Sequence, residues 1–237
     1  MLNRATHESV MTNILTEIYS DPLLRTNLAF KGGTAAYLFY DLPRFSTDLD
    51  FDLIDPKKSE QIYAIVKKIA EKNGQIKDET IKEKTVYFRL SYEHEVPTVK
   101  IEISRLVNKE DEYEVKELFG LPVLVMTKPC MAANKFVAVL DRKKLVNRDL
   151  FDSWFFLQKN WPIKASVVES RTGMPALDYF VKLKEFLQKN KDEINILHGL
   201  GEVLDSKQKV FVKNKMLNDV LFYLRLQTEK LNMNNLE

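Results

Sequence analysis

Two carboxylates two residues apart, Asp48 and Asp50, follow a Gly32-Gly33-Thr34 turn after thirteen intervening residues. Residues two apart on a strand share a face, so Asp48, Asp50 and Asp52 project together while Leu49, Phe51 and Leu53 project into a core. Three like charges on one face repel each other, and a divalent cation relieves that repulsion. The two glycines lack Cβ atoms, which lets backbone approach a phosphate closely, and the N–H groups of a following helix start attract an anion. A glycine turn followed by an alternating acidic strand therefore suits metal-dependent handling of a nucleotide, with transfer of a nucleotide from a nucleoside triphosphate as the chemistry. The turn is neither a Walker loop nor a dinucleotide fingerprint, because neither GxxxxGK[ST] nor GxGxxG occurs.

A third carboxylate is wanted for two-metal phosphoryl chemistry. Val99-Lys100-Ile101-Glu102-Ile103 is a second alternating run with Lys100 and Glu102 on one face. If that strand lies beside the first, Glu102 completes a set with Asp48 and Asp50, and Lys100 comes close enough to pair with a phosphate or a carboxylate. Further along, Lys135 and Arg142 are seven apart on a helical pattern and share a face, as do Asp149 and Asp152, three apart. A role at the site, with Lys135 neutralising phosphate, and a salt bridge between helices are both open for Lys135 and Asp149.

These residues need elements to hold them. Apolar residues at Val10, Ile14, Leu15 and Ile18 mark a helix over 5–20, stopped by Asp21-Pro22. A short strand over 28–31 precedes the glycine turn, a helix runs from Thr34 to Asp41, and a strand covers 48–54. A helix follows from Pro56 to about Asn73, then strands over 76–78, 86–92 and 98–104. Residues 108–116 read as charged and strand-poor, and 121–126 as a short apolar run. Helices are expected over 129–140, 147–158, 175–190, 192–203 and 207–231. The switch from mixed to all-helical pattern near residue 125 divides the chain into a catalytic domain, 1–125, and a helical domain, 126–237. The fold class is α+β: a mixed sheet flanked by helices, then a helical bundle contributing basic and acidic residues to the site.

Composition narrows the setting. The 237 residues are 45% hydrophobic and 30% charged, ordinary for a globular protein. No run approaches the roughly 18 apolar residues of a membrane span, and the first residues lack the apolar core of a secretory signal. A single cysteine, Cys130, excludes an internal disulfide, and with only three dispersed histidines (His7, His94, His198) no structural zinc set exists. A cytoplasmic protein without a membrane partner is expected. Net charge is only +2, yet residues 128–148 hold Lys128, Lys135, Arg142, Lys143, Lys144 and Arg148 against one acid, Asp141. Such a cluster serves phosphate or nucleic acid, or is a solvated helix face.

The chain resembles the polymerase-β-like nucleotidyltransferases, whose signature is Gly-Gly/Ser, a spacer, Asp-x-Asp/Glu and a later carboxylate on a neighbouring strand. More narrowly it resembles the AbiEii/AbiGii-type nucleotidyltransferase toxins. The matching motifs are Lys31-Gly32-Gly33-Thr34-Ala35, Arg44-Phe45-Ser46-Thr47-Asp48-Leu49-Asp50-Phe51, the Lys100/Glu102 strand, Ala133-Asn134-Lys135-Phe136-Val137-Ala138 with Arg142, and Arg148-Asp149-Leu150-Phe151-Asp152. Asn134 departs from the branch, which often has an acid there. The resemblance implies Asp48, Asp50, Glu102, Lys135 and Asp149 as catalytic, with Mg²⁺ (or Mn²⁺) at a two-metal site on Asp48, Asp50 and Glu102. It implies nucleotide binding by Gly32, Gly33, Thr34, Ser46, Lys100 and Arg148. It assigns Asp52 no role and leaves Arg44, Arg142 and Asp152 open between function and structure. It further implies an NTP substrate, a cognate antitoxin, and an RNA acceptor, with the 3′ end of tRNA as the acceptor of characterised relatives. A protein or small-molecule hydroxyl as acceptor, or a nucleotide- or RNA-binding module without turnover, are the alternatives.

Overall fold

The computed structural model describes residues 3–92, 98–142 and 144–234. Lys143 of the basic cluster and His94 lie outside the described residues. The chain divides into two compact units, Met1–Thr127 and Lys128–Glu237.

The first unit is a seven-stranded mixed sheet in the order β3-β4-β5-β2-β1-β7-β6. Its elements are α1 (Arg4–Ser20), α2 (Pro22–Asn27), β1 (Leu28–Lys31), α3 (Gly32–Tyr40), β2 (Asp48–Leu53), α4 (Ser59–Asn73), β3 (Gln75–Ile81), β4 (Thr85–Ser91), β5 (Thr98–Ser104), β6 (Tyr113–Leu118) and β7 (Leu121–Met126). The β2–β5 pair is parallel, as is β1–β7, and the other neighbours are antiparallel. Alternation sorts the side chains. Leu49, Phe51, Val86, Phe88, Val99, Ile101 and Ile103 are buried together with Ile62 and Val66 of α4 and Ile14, Leu15 and Ile18 of α1. That leaves the other face of β2, β4 and β5 to polar residues, and burial of so many full-sized apolar side chains fixes the register against a one-residue slip.

The second unit is helical: α5 (Lys128–Asp141), α6 (Asn147–Gln158), α7 (Ala165–Thr172), α8 (Ala176–Lys189), α9 (Ser206–Phe211) and α10 (Leu217–Asn234). Aromatic packing holds it. Phe156 stacks on Trp161 at 4.2 Å, and Phe136 meets Phe180 edge-on at 5.2 Å. Buried Tyr179 donates its hydroxyl to the Phe136 carbonyl, so its polar end is satisfied inside the core.

Four sequence expectations fail locally. The helix expected over 192–203 is a series of turns. Gly199 takes a left-handed φ of 75°, and the buried Asn147 amide donates to the Asn195 and His198 carbonyls, which takes those acceptors out of any helical ladder. Residues 108–116 are not strand-poor, because β6 begins at Tyr113 and pairs with β7 around a Phe119-Gly120 turn with both φ values positive. Its charges belong to an edge strand, where they discourage pairing with other chains. The single helix expected over 207–231 is split by a π segment, Val212–Met216, which no Pro or Gly announces. Helices α2 and α7 were not expected at all.

Candidate active site

Helix α3 begins at Gly32, one residue after β1 ends, two residues earlier than the sequence suggests. Gly32 sits at φ 78°, and a Cβ there would run into the Asp50 carboxylate. Gly33 is closed in by the Arg44 guanidinium and the Ser46 hydroxyl, each 2.8 Å from where its Cβ would be. The two glycines are thus required by close approach, and at Gly32 also by backbone conformation. No acid stands in the first turn of α3 and Lys31 provides no side-chain cap, a helix start of the kind that suits an anion.

Thr34 is fully buried, and its hydroxyl donates to the Asp48 carbonyl. This bond ties the start of α3 to the start of β2. It leaves the Thr34 backbone, rather than its hydroxyl, on the side of the turn. Arg44 is also buried and donates to the Phe45 carbonyl, bracing the loop that carries Ser46.

The parallel β2–β5 pairing sets Asp50 directly opposite Glu102 and Asp48 opposite Lys100. Lys31 of β1 is the register partner of Asp50 on the other side. Its ammonium reaches the buried Asp52 at 2.6 Å, and the Tyr113 hydroxyl donates to the other Asp52 oxygen at 3.0 Å. Both Asp52 oxygens are thereby occupied inside the protein, which accounts for its position on the acidic face without a role toward a ligand. Lys100 and Glu102 are exposed.

One neighbour had no signal in the sequence. His7 of α1 is buried, with Nε2 3.0 Å from the Thr47 carbonyl and Nδ1 2.7 Å from the Tyr92 hydroxyl. A carbonyl can only accept, so Nε2 carries the proton and Nδ1 accepts from Tyr92. Burial lowers the His7 pKa below its ordinary 6.5, opposed by the Thr47 carbonyl and the Asp48 charge. A neutral imidazole therefore anchors the peptide just before Asp48.

In the second unit, Lys135 lies 2.9 Å from Asp149 and 3.2 Å from Asp152, and Arg142 Nε lies 2.9 Å from the other Asp149 oxygen. The shared faces expected for Lys135/Arg142 and Asp149/Asp152 meet in one ion cluster between α5 and α6, with Asp149 and Asp152 buried around Lys135 and Arg142 at the exposed rim. Asn134 accepts from Arg171 at 2.6 Å. Lys128 lies over the Trp161 ring at 5.2 Å. Arg148 is half-buried and makes no ion pair among the described residues.

Carboxylate oxygens are the ligands Mg²⁺ prefers, and Asp48 and Asp50 fit it as a neighbouring pair. Among the described residues no group of three His, Cys, Asp or Glu side chains is gathered closely enough to hold a metal unaided. Mg²⁺ ordinarily takes one or two carboxylates and completes its shell with water and substrate phosphates, so the pair suffices for the fit.

The family of nucleotidyl transferase AbiEii toxins, of type IV toxin–antitoxin systems, matches residues 13–192. The chain belongs to this family. It is a nucleotidyltransferase, and its family setting implies a cognate antitoxin. A protein from H. pylori whose crystal structure carries a provisional nucleotidyltransferase assignment is 26% identical, with a TM-score of 0.61 over 100% of this chain and 99% of that one. JHP933 from Helicobacter pylori is 23% identical, with a TM-score of 0.54 over 99% of each chain, a likeness of fold alone. No curated protein matches the chain in sequence. No described helix is long and apolar enough to cross a membrane.

Proposed function

We propose that the chain transfers a nucleoside monophosphate from an NTP to the 3′-hydroxyl of an RNA, with tRNA as the first candidate, and releases pyrophosphate. The observation that carries this reading is the register of β2 against β5, which sets Asp50 opposite Glu102 while Gly32 clears the space beside Asp50. The α3 N-terminus at Gly32-Gly33 receives the triphosphate, with Ser46 and Lys100 beside it. Asp48 and Asp50 would hold Mg²⁺, with Glu102 on the acceptor side. Mg²⁺, when bound, supplies charge neutralisation of the triphosphate. The acceptor oxygen forms a bond to the α-phosphorus, the bond from that phosphorus to the bridging oxygen breaks, and pyrophosphate leaves with the electron pair. The acceptor proton passes to a site carboxylate or to water. Positioning and charge carry most of the catalysis, since little covalent help is needed from the protein.

The test is incubation with total tRNA, Mg²⁺ and each labelled NTP in turn. Label on tRNA from one NTP supports the reading. Label appearing on a protein or a small molecule instead assigns a different acceptor, and no transfer at all overturns it.

A further inference from the structure

The polar face that carries Asp48 and Asp50 continues across β5 onto β4. Register places Asp48, Lys100, Arg89 and Asp78 in one row, and Lys31, Asp50, Glu102, Tyr87 and Thr80 in the next. Alternation turns Tyr87 and Arg89 to the side of the carboxylates, while their neighbours Val86, Phe88 and Leu90 are buried on the other face. The sequence motifs include neither residue.

Arg89 is exposed and forms no ion pair among the described residues, although Asp78 stands opposite it on β3. Lys100 beside it is likewise exposed and unpaired among the described residues. Lys100 and Arg89 are thus two adjacent exposed cations in that row, flanked by Asp48 and Asp78, and both can reach a phosphate from the solvent side. Tyr87, in the adjoining row between Glu102 and Thr80, is partly buried. Its hydroxyl pKa is raised, first by burial and then by the Asp78, Asp48 and Glu102 carboxylates, with Arg89 opposing. Tyr87 is the register partner of Glu102, the carboxylate read above as serving the acceptor side.

An aromatic face next to a free guanidinium is the pairing that binds single-stranded RNA, since unstacked bases lie on aromatic rings and phosphates on basic side chains. Resting on the nucleotidyltransferase reading above, we propose that Tyr87 and Arg89 form the acceptor seat: the last nucleotide of a single-stranded RNA 3′ end packs on Tyr87 and its phosphate contacts Arg89. Lys100, nearer Asp48, stays with the triphosphate. Both residues are substrate-binding groups and take no part in bond making.

The experiment compares the full chain with its Arg89→Ala, Tyr87→Ala and Tyr87→Phe variants. Binding of a short labelled oligoribonucleotide with a free 3′-hydroxyl is measured against salt, and transfer kinetics are measured with NTP and tRNA varied separately. Arg89→Ala should weaken oligonucleotide binding roughly tenfold and flatten the slope of log K against log salt by about 0.7. Tyr87→Ala should weaken it roughly tenfold, with Tyr87→Phe close to the parent, because the ring rather than the hydroxyl carries the contact. KM for the NTP should change less than about twofold in all three, and circular dichroism should report an intact fold. Unchanged RNA binding in both alanine variants overturns the proposal while RNA transfer by the parent chain still stands. A raised KM for NTP with RNA unaffected also overturns it and moves Arg89 to the triphosphate. If the parent chain itself labels no RNA, the functional reading fails and takes this inference with it.

Discussion

At the scale of single residues, the site depends on what is absent as much as on what is present. Gly32 has no Cβ where the Asp50 carboxylate sits, and its φ is one that an L side chain adopts at a cost of about 1 kcal/mol. Gly32→Ala should therefore cost little in thermal stability but reduce nucleotide transfer by about 100-fold, since displacement of a positioning carboxylate by about 1 Å is enough for that. Unimpaired transfer by this variant would remove the close approach from the account. His7 offers a second prediction. Its folded pKa is lowered, so below 6.5 the unfolded chain binds a proton that the folded chain refuses. Stability from this group is complete above pH 6.5 and falls as pH drops through 6.5 toward the lower folded value. Denaturant unfolding of His7→Gln should lack that fall, and identical pH profiles for both proteins would contradict it. The carboxylates and glycines were legible in the sequence because type and spacing alone define them. The partners His7 and Tyr92 were not, because nothing local ties a residue on α1 to a peptide forty residues further on.

At the scale of elements, strand alternation carried more information than helical pattern. Asp48–Leu53 and Thr98–Ser104 were readable because their inward residues are apolar without exception, and their adjacency then followed from the topology. The edge strand Tyr113–Leu118 was hidden by its own charges. The segment 190–205 was hidden because Asn147, distant in sequence, takes its carbonyls. The α5–α6 ion cluster yields a prediction of its own. Asp149 and Asp152 are buried around Lys135, so Lys135→Met leaves two carboxylates without their shared cation. Breaking such a pair costs about 3 kcal/mol, which should lower the unfolding midpoint by several degrees. Arg142→Ala should cost under about 1 kcal/mol, because its side chain is 53% exposed. Equal losses for the two would mean that the cluster is not organised around Lys135.

For the whole molecule, the family places the chain among nucleotidyl transferase toxins of type IV systems, and toxicity is a property that can be measured. Induced expression without an antitoxin should arrest growth of a bacterial host, and Asp50→Ala, produced at equal level, should not. Arrest by both would separate toxicity from the carboxylates. The net charge of +2 predicts no general affinity for nucleic acid, so RNA binding should come from local groups such as Arg89. The measurement that bears most directly on the central claim is Mg²⁺-dependent transfer of labelled NTP to tRNA by the parent chain beside Asp48→Ala and Asp50→Ala. Label is expected on tRNA with the parent chain and none with either variant, all three sharing one circular dichroism spectrum. Transfer that persists in either variant would contradict it.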